Sequence, residues 1–567
     1  MLFEELKCSL KEKKLRIQVD MEEFTISGNI VDLVERKIFP GTVLIRNGII
    51  ASIRDSVDHF SQKFILPGFI DAHVHVESSM LTPSEFARLA VVHGTVATVS
   101  DPHEIGNVLG VEGVRYMLQN SKQIPFHYYF GAPSCVPATA FETSGSIITS
   151  ADIASLFEVD KLKYLSEVMN YPDVLARDPG VMQKIQMAKN FGLPIDGHAP
   201  GLEGAEVAQY IAAGITSDHE CYKLKEALDK IHYGMKIIIR QGSAAKNYDA
   251  LHPLIDSHPD YVMFCSDDKH PHDLVAGHIN EIVKRSIVKH GYDSMDVLRC
   301  ACYNPIKHYN LEVGYLQKGQ SADFIVVDNL HDFTVLQTYI KGKLVAKNGK
   351  TLISSTKSDI INNFNVSIKN VTDFALPHKN INSHIQVLQA IEGELITKKI
   401  VVKAKIMAGQ IISDIEHDIL KLAVINRYTN TPIAIAFING FGLKKGALAS
   451  SVAHDSHNII VVGTNDEDMC HAANAIIQNK GGIAVTNAGN TQILPLPIAG
   501  IMSNQDGYSV ANKYLVLDQK AKQLGSTLEA PFMTLSFMAL LVIPSLKLGD
   551  RGLFDGNTFC FTPLVLN

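Results

Sequence analysis

Between residues 68 and 306 the sequence alternates short β-branched apolar runs with longer helix-compatible stretches, and no other feature narrows its folding options as much. Parallel strands need long crossover connections, and helices supply them, so this alternation implies a parallel sheet wrapped by helices. The runs are FIDAHVHV, TVATVSDP, HYYFGAPS, KYLSEVMN, LPIDGHA, GITSDHE, KIIIRQGS and VMFCSDD, eight in all. Eight such strands match a (β/α)₈ TIM-like barrel. Nearly every run closes on a polar or ionisable residue, which places the chemistry on the rim at the strands' C-terminal ends.

The flanks read differently. From Phe24 to Ile53, and again from Gly314 to Val345, β-branched runs are broken by Gly and Pro in the manner of antiparallel strands and turns. The two distant segments are expected to share one small sheet, with the barrel inserted between them. The expected α/β architecture is therefore a composite β-sandwich (residues 1–67 and 307–353), the barrel (68–306) and a C-terminal α+β region (354–567). The polar stretch ISSTKSDII marks the second boundary, and HNIIVVGT, DEDMCHAANAIIQN and GGIAVTNAG predict strand, helix and strand beyond it. A chain of 567 residues exceeds what one core organises, in keeping with several units.

Composition excludes more than it assigns. A formal net charge of −7 gives no basic field to hold a phosphate backbone, so nucleic acid is not an expected partner. The eight cysteines form no CxxC pair, which suits a reducing, cytoplasmic setting. The first twenty residues mix charge among apolar positions and lack the core of a signal peptide. Phe532 to Leu546 is uncharged, but it is short for a membrane span and contains Pro544, so it reads as buried core.

The strongest local signal is Asp71-Ala72-His73-Val74-His75, at the end of an apolar strand. Residues two apart in a strand face the same side, so His73 and His75 present both imidazoles to one point at the barrel mouth. Imidazoles suit Zn, Fe, Mn or Ni. An HxH pair is weak alone, since histidines in strands are often core or surface residues. Glu167, His198, His219 and Asp267 stand at further strand ends, however, and a barrel brings all those ends to one rim. The inventory fits two divalent ions. His73 and His75 would hold the first, His198 and His219 the second, Glu167 would bridge, and Asp267 would sit beside the first ion and the shared water.

PGFIDAHVHVESSM, TVSDPHEIGNVLG, DGHAPGL, SDHE and CSDDKHP resemble the adenine deaminase family of the amidohydrolase superfamily. KGQSADFIVVD resembles the superfamily's returning sheet, and SSVAHDSHNIIVVGTND resembles the family's own C-terminal domain. The resemblance implies a two-metal site using Mn or Fe, with Zn also compatible, and Glu167 standing where many relatives carry a carboxylated lysine. It further implies adenine as substrate, hypoxanthine and ammonia as products, a place in purine salvage or adenine catabolism, and a homo-oligomer.

Deamination needs a nucleophile at neutral pH and protons for a ring nitrogen and the departing amine. A metal-bridged hydroxide attacking C6 is expected to supply the first. Asp267 is expected to shuttle a proton to the leaving amine, and Glu220, held neutral by burial, to protonate the ring nitrogen. Asp268 is expected to bind the purine or orient the leaving group, or else to face solvent. Glu77, two positions after His75, and His103 and Glu104 at the second strand end are candidates for orienting the ligands, or for surface charge and helix capping. His454 and Asp455 belong to a loop reaching the barrel mouth, to a third metal contact, or to a plain turn. A serine-hydrolase triad around Ser451 is set aside because no GxSxG elbow exists. The competing readings are another cyclic amide or amidine hydrolase of the superfamily and a metal-free oligomeric scaffold.

Overall fold

The structure is a computed structural model that describes residues 23–55 and 62–566. Cys8 and the N-terminal stretch read above for a leader lie outside the described residues.

The barrel strands are Phe69–Val74, Thr95–Ser100, His127–Phe130, Leu165–Val168, Ile195–Gly197, Ser217–Asp218, Lys236–Arg240 and Val262–Cys265. The first three pair in parallel, as do the last five. Parallel bridges from Ala132 to Leu165 and from Val74 to Asp267 close the ring. Every residue of the first, second, fourth and eighth strands is buried, because side chains fill the barrel on one side and helices cover the other. Helices such as Val111–Ser121, Pro179–Asn190 and Leu224–His232 form the outer ring. Their ends follow from sequence: Asp178 caps the second of these by accepting from the amides of Gly180 and Val181, with Pro179 at the first helical position.

The flanking segments do share a sheet. Phe64–Pro67 runs parallel to Glu23–Asp32 and antiparallel to Phe324–Val327, so it joins the N-terminal strands to the returning ones in a continuous eight-stranded sheet. The sheet folds over on itself, through an Ile49–Ser321 bridge and a Phe24–Tyr339 ring contact at 5.6 Å, around Ile30, Val43, Ile65 and Phe324. Its hairpin at Asn47-Gly48 has both residues at positive φ, 52° and 75°, as a two-residue turn of this hand requires.

Residues 352–370 contain no helix or strand and run along the barrel, with Asp359 accepting from the Tyr116 hydroxyl. Beyond them lies a nine-stranded sheet. The expected strand, helix and strand occur at Ile459–Gly463, Asp466–Asn479 and Gly482–Asn487. The two strands are not neighbours, because Ala447–Ser450 pairs with both and lies between them. Phe532 to Leu546 holds a buried helix, Pro531–Phe537, and among the described residues no helix is long and apolar enough to cross a membrane. A single apolar core runs from barrel residues such as Val74 and Phe130 through Tyr428 and Leu448 to Phe532 and Leu535, so the C-terminal region packs directly against the barrel.

Candidate metal centre at the barrel mouth

The first strand delivers His73 and His75 to the rim with their Nε2 atoms 3.2 Å apart. Asp267 follows the eighth strand, where the Val74–Asp267 bridge sets its height, and its Oδ1 lies 3.5 Å from His73 Nε2 and 3.2 Å from His75 Nε2. Glu167, inside the fourth strand, turns its two oxygens in different directions. Oε1 lies 3.2 Å from His75 Nε2 and 3.9 Å from His73 Nε2, whereas Oε2 lies 2.6 Å from His198 Nδ1 and 3.3 Å from His219 Nε2. One carboxylate thus touches two lobes of donors, both buried. Donor atoms around a cation with bonds of about 2.0–2.2 Å sit roughly 3–4 Å apart, so the spacing of these groups fits divalent ions. The donor set of imidazoles and carboxylates fits Mn, Fe or Zn. His75 also holds its far nitrogen, Nδ1, 3.1 Å from the Asp101 carbonyl, the kind of contact that orients a ligand ring.

Charge explains the protonation of the carboxylates. Burial alone would raise Asp267, but Arg240, His73, His75 and His219 outweigh it and hold the carboxyl well below the usual range. Burial is likewise overcome at Glu167, by His198 and His219.

Arg240, at the end of the seventh strand, was not expected. Its guanidinium donates to Asp267 Oδ2 at 2.7 Å and forks onto both oxygens of Glu220. This corrects the expectation that burial keeps Glu220 neutral: burial does push its carboxyl up, but Arg240 together with His198 and His219 pulls it below the usual value. Glu220 Oε1 also lies 3.4 Å from His219 Nε2, so it stands as an anion beside the second lobe. Arg240 ends its strand as the ligands end theirs, but a search for metal-binding residue types passes over a cation.

Asp268 is half-buried, with its carboxylate engaged by a neighbour. Ser78 Oγ lies 2.5 Å from Asp268 Oδ1 and 2.7 Å from Glu104 Oε1. Of the two readings of Glu77, the structure favours capping over ligand orientation: the strand ends at Val74, Val76–Ser79 forms a 3₁₀ turn that breaks the alternation, and the Glu77 side chain reaches the first turn of the helix His103–Leu109. Its carboxylate accepts from the Ile105 amide at 3.3 Å instead of from a histidine, and burial and Glu104 push its pKa up to about 8. His103 lies beside the cluster, with Nδ1 3.0 Å from Asp101 Oδ2 and 3.6 Å from Glu167 Oε1.

The loop carrying His454 and Asp455 reaches the mouth. Asp455 Oδ1 lies 3.5 Å from His103 Nε2, and His454 Nδ1 lies 3.7 Å from Glu104 Oε1. Leu395, Phe537 and Leu540, from the same C-terminal region, line the cavity above the cluster together with Met169. Their apolar side chains carry no mark in the sequence that separates them from ordinary core.

A closed parallel barrel with histidines and carboxylates gathered at the C-terminal ends of its strands defines an amidohydrolase, and residues 64–345 match the amidohydrolase family model. Residues 394–560 match the adenine deaminase C-terminal domain. The chain is 54% identical over 537 residues to an adenine deaminase of Sulfurovum sp. (strain NBC37-1), covering 94% of this chain and 98% of that one. It is 53% identical to the adenine deaminase of Salinibacter ruber, covering 95% and 98%, and 48% identical to that of Borreliella burgdorferi, covering 95% and 100%. The chain belongs to the adenine deaminase family.

Proposed function

We propose that this protein hydrolyses adenine to hypoxanthine and ammonia. The observation that carries the reading is the two-lobed cluster around Glu167, in a chain that matches curated adenine deaminases along almost its whole length. His73, His75 and Asp267 would hold one divalent ion and His198 and His219 a second, with Glu167 between them; Mn and Fe suit the donors, and Zn is compatible. Bound ions supply Lewis acidity and bring the pKa of a coordinated water toward neutrality.

The chain's own groups then manage protons. Asp267, kept ionised by Arg240, accepts a proton at Oδ1 and passes it to the departing amine. Glu220, paired with the same arginine, serves as a fixed anion and not as an acid. A proton for the ring nitrogen comes from the Glu104–Ser78–Asp268 set. Ser78 Oγ, with one proton of its own, lies at hydrogen-bond distance from both carboxyl oxygens, an arrangement that a hydrogen on Glu104 would complete. Burial raises Glu104 and favours that arrangement. His103, held by Asp101 and Asp455, keeps a positive charge beside Glu167.

Ammonia release from adenine, guanine, cytosine and adenosine, measured beside dihydropyrimidine and hydantoin opening in metal-loaded protein, tests the substrate. Adenine is expected to be the preferred one; good turnover elsewhere with none on adenine would refute it. A cytoplasmic setting is supported by free thiols at the buried Cys135, Cys221, Cys265, Cys300 and Cys302. Light scattering in solution tests the homo-oligomer that the family resemblance implies.

A further inference from the structure

His198 and His219 stand just past the ends of very short strands. Ile195–Gly197 and Ser217–Asp218 pair in parallel at two register positions, Asp196 with Ser217 and Gly197 with Asp218, and the ladder stops one residue before each histidine. The first lobe is held differently. There the backbone itself crosses between strands, Asp267 N donating to the His73 carbonyl at 2.9 Å and His75 N to the Asp267 carbonyl at 3.3 Å.

Side chains replace the missing ladder at the second lobe. Asp218 accepts from the Glu220 amide at 2.6 Å through Oδ1 and from the Ala199 amide at 3.1 Å through Oδ2. Glu226, in the first turn of the helix Leu224–His232, accepts from the Gly201 amide at 2.8 Å and the Tyr222 amide at 3.2 Å. Each carboxylate thus bonds one amide on the loop after His198 and one on the loop after His219. Between the two carboxylates lies Lys230, one turn further along the same helix and fully buried. Its ammonium has three N–H donors and meets three oxygens: the Ala199 carbonyl at 2.7 Å, Glu226 Oε1 at 2.8 Å and Asp218 Oδ2 at 3.0 Å, with Cys221 Sγ next at 3.4 Å. Tyr210 and Asn247 each bond only one of the two loops, at the His198 amide and the His219 carbonyl.

We infer that Lys230 is a positioning residue for the second metal ion: by holding Asp218 and Glu226 together it fixes the spacing of His198 and His219, so its loss weakens the second ion and spares the first. The inference rests on the two-ion reading of the Glu167 cluster. Two buried carboxylates repel when the cation between them is removed, and an uncompensated buried charge is strongly unfavourable. The loops they bond then part, and the two imidazoles lose the common point that one ion needs. Among the described residues, none of His73, His75 and Asp267 bonds Asp218, Glu226 or Lys230, so the first lobe keeps its own backbone ties.

The test measures bound Mn per chain in full-length protein stripped of metal, dialysed against graded free Mn and read by elemental analysis. His198→Ala marks which equivalent belongs to the second lobe. In Lys230→Met the dissociation constant of that equivalent is expected to rise roughly tenfold or more, as for other groups that orient metal ligands, while the other stays within about threefold of wild type. Ammonia release from adenine should fall at low Mn and recover as Mn fills the site. Glu226→Gln, which leaves Lys230 paired with Asp218, is expected to shift the same equivalent in the same direction, and it carries the test should Lys230→Met fail to fold. Equal weakening of both equivalents, the result of a general loosening of the fold, overturns the inference, and so does unchanged affinity for both in either folded variant. A wild-type protein that binds a single Mn refutes the two-ion reading by itself. The positioning role is then judged by hydrogen exchange, which must accelerate in residues 198–204 and 218–224 of Lys230→Met, and not in residues 73–77, for it to stand.

Discussion

Replacing Arg240 by methionine removes the one guanidinium that meets both Asp267 and Glu220 while keeping most of its volume. Two unit charges about 4 Å apart interact by about 4 kcal/mol at an effective dielectric constant of about 20. At about 1.4 kcal/mol per pKa unit, Asp267 would rise by up to roughly three units if nothing else responded. His73, His75 and His219 face the same carboxylate and share the compensation, so the expected rise is about one to two units. The sign follows from the role proposed for Asp267. A base acts only when deprotonated, so activity is lost as pH falls through its pKa, and raising that pKa moves the acid limb of kcat/KM for adenine upward. Because the Asp267 carboxyl starts well below the usual range, the assay is a pH–rate profile carried down to about pH 3, on protein whose metal content matches wild type at each pH, since the His and Glu167 ligands are untouched. An acid limb within about 0.3 units of wild type, with activity within about threefold, would refute the claim that Arg240 holds Asp267 ionised. Loss of the buried cation should also destabilise the fold by about 3–5 kcal/mol, because two carboxylates are left without it.

Other substitutions separate metal binding from proton transfer. His73→Ala is expected to lose metal, whereas Asp267→Asn should retain metal yet lose turnover by roughly two to four orders of magnitude, both read by elemental analysis beside ammonia release. Glu167→Gln, which weakens the group shared by both lobes, should lower metal occupancy as His73→Ala does, read by the same elemental analysis. Chelation of the wild-type protein should abolish ammonia release and lower the unfolding midpoint, with both restored by Mn or Fe. Lys547 adds a stability test: its folded pKa is near 7 against an ordinary 10.5, so the unfolded chain binds more protons between those values and stability climbs with pH across that window. In Lys547→Met the denaturant midpoint should be flatter between pH 7.5 and 9.5, and an unaltered slope would count against a buried neutral amine.

Much of this molecule was legible from residue order because local rules carry it. Apolar β-branched runs between helix-compatible stretches specify a barrel, and the ends of those runs, read by side-chain alternation, select His73, His75, Glu167, His198, His219 and Asp267 before any contact is known. The rule fails where the strand does. At Glu77 the backbone has entered a 3₁₀ turn, and the side chain lies by Ile105 instead of by the histidines.

What only the tertiary structure decided is which groups share a charge and which surface closes the site. Glu220 and Arg240 are 20 residues apart, and their pairing inverts the protonation that burial alone suggests. Leu395 and Phe537 look like core residues in the sequence and Lys547 like a surface cation, and long-range packing alone brings the first two over the barrel mouth with the buried amine behind them. Periodicity and strand ends are local properties of a chain, whereas the field around a carboxylate and the lid over a cavity are sums over neighbours that no short window contains.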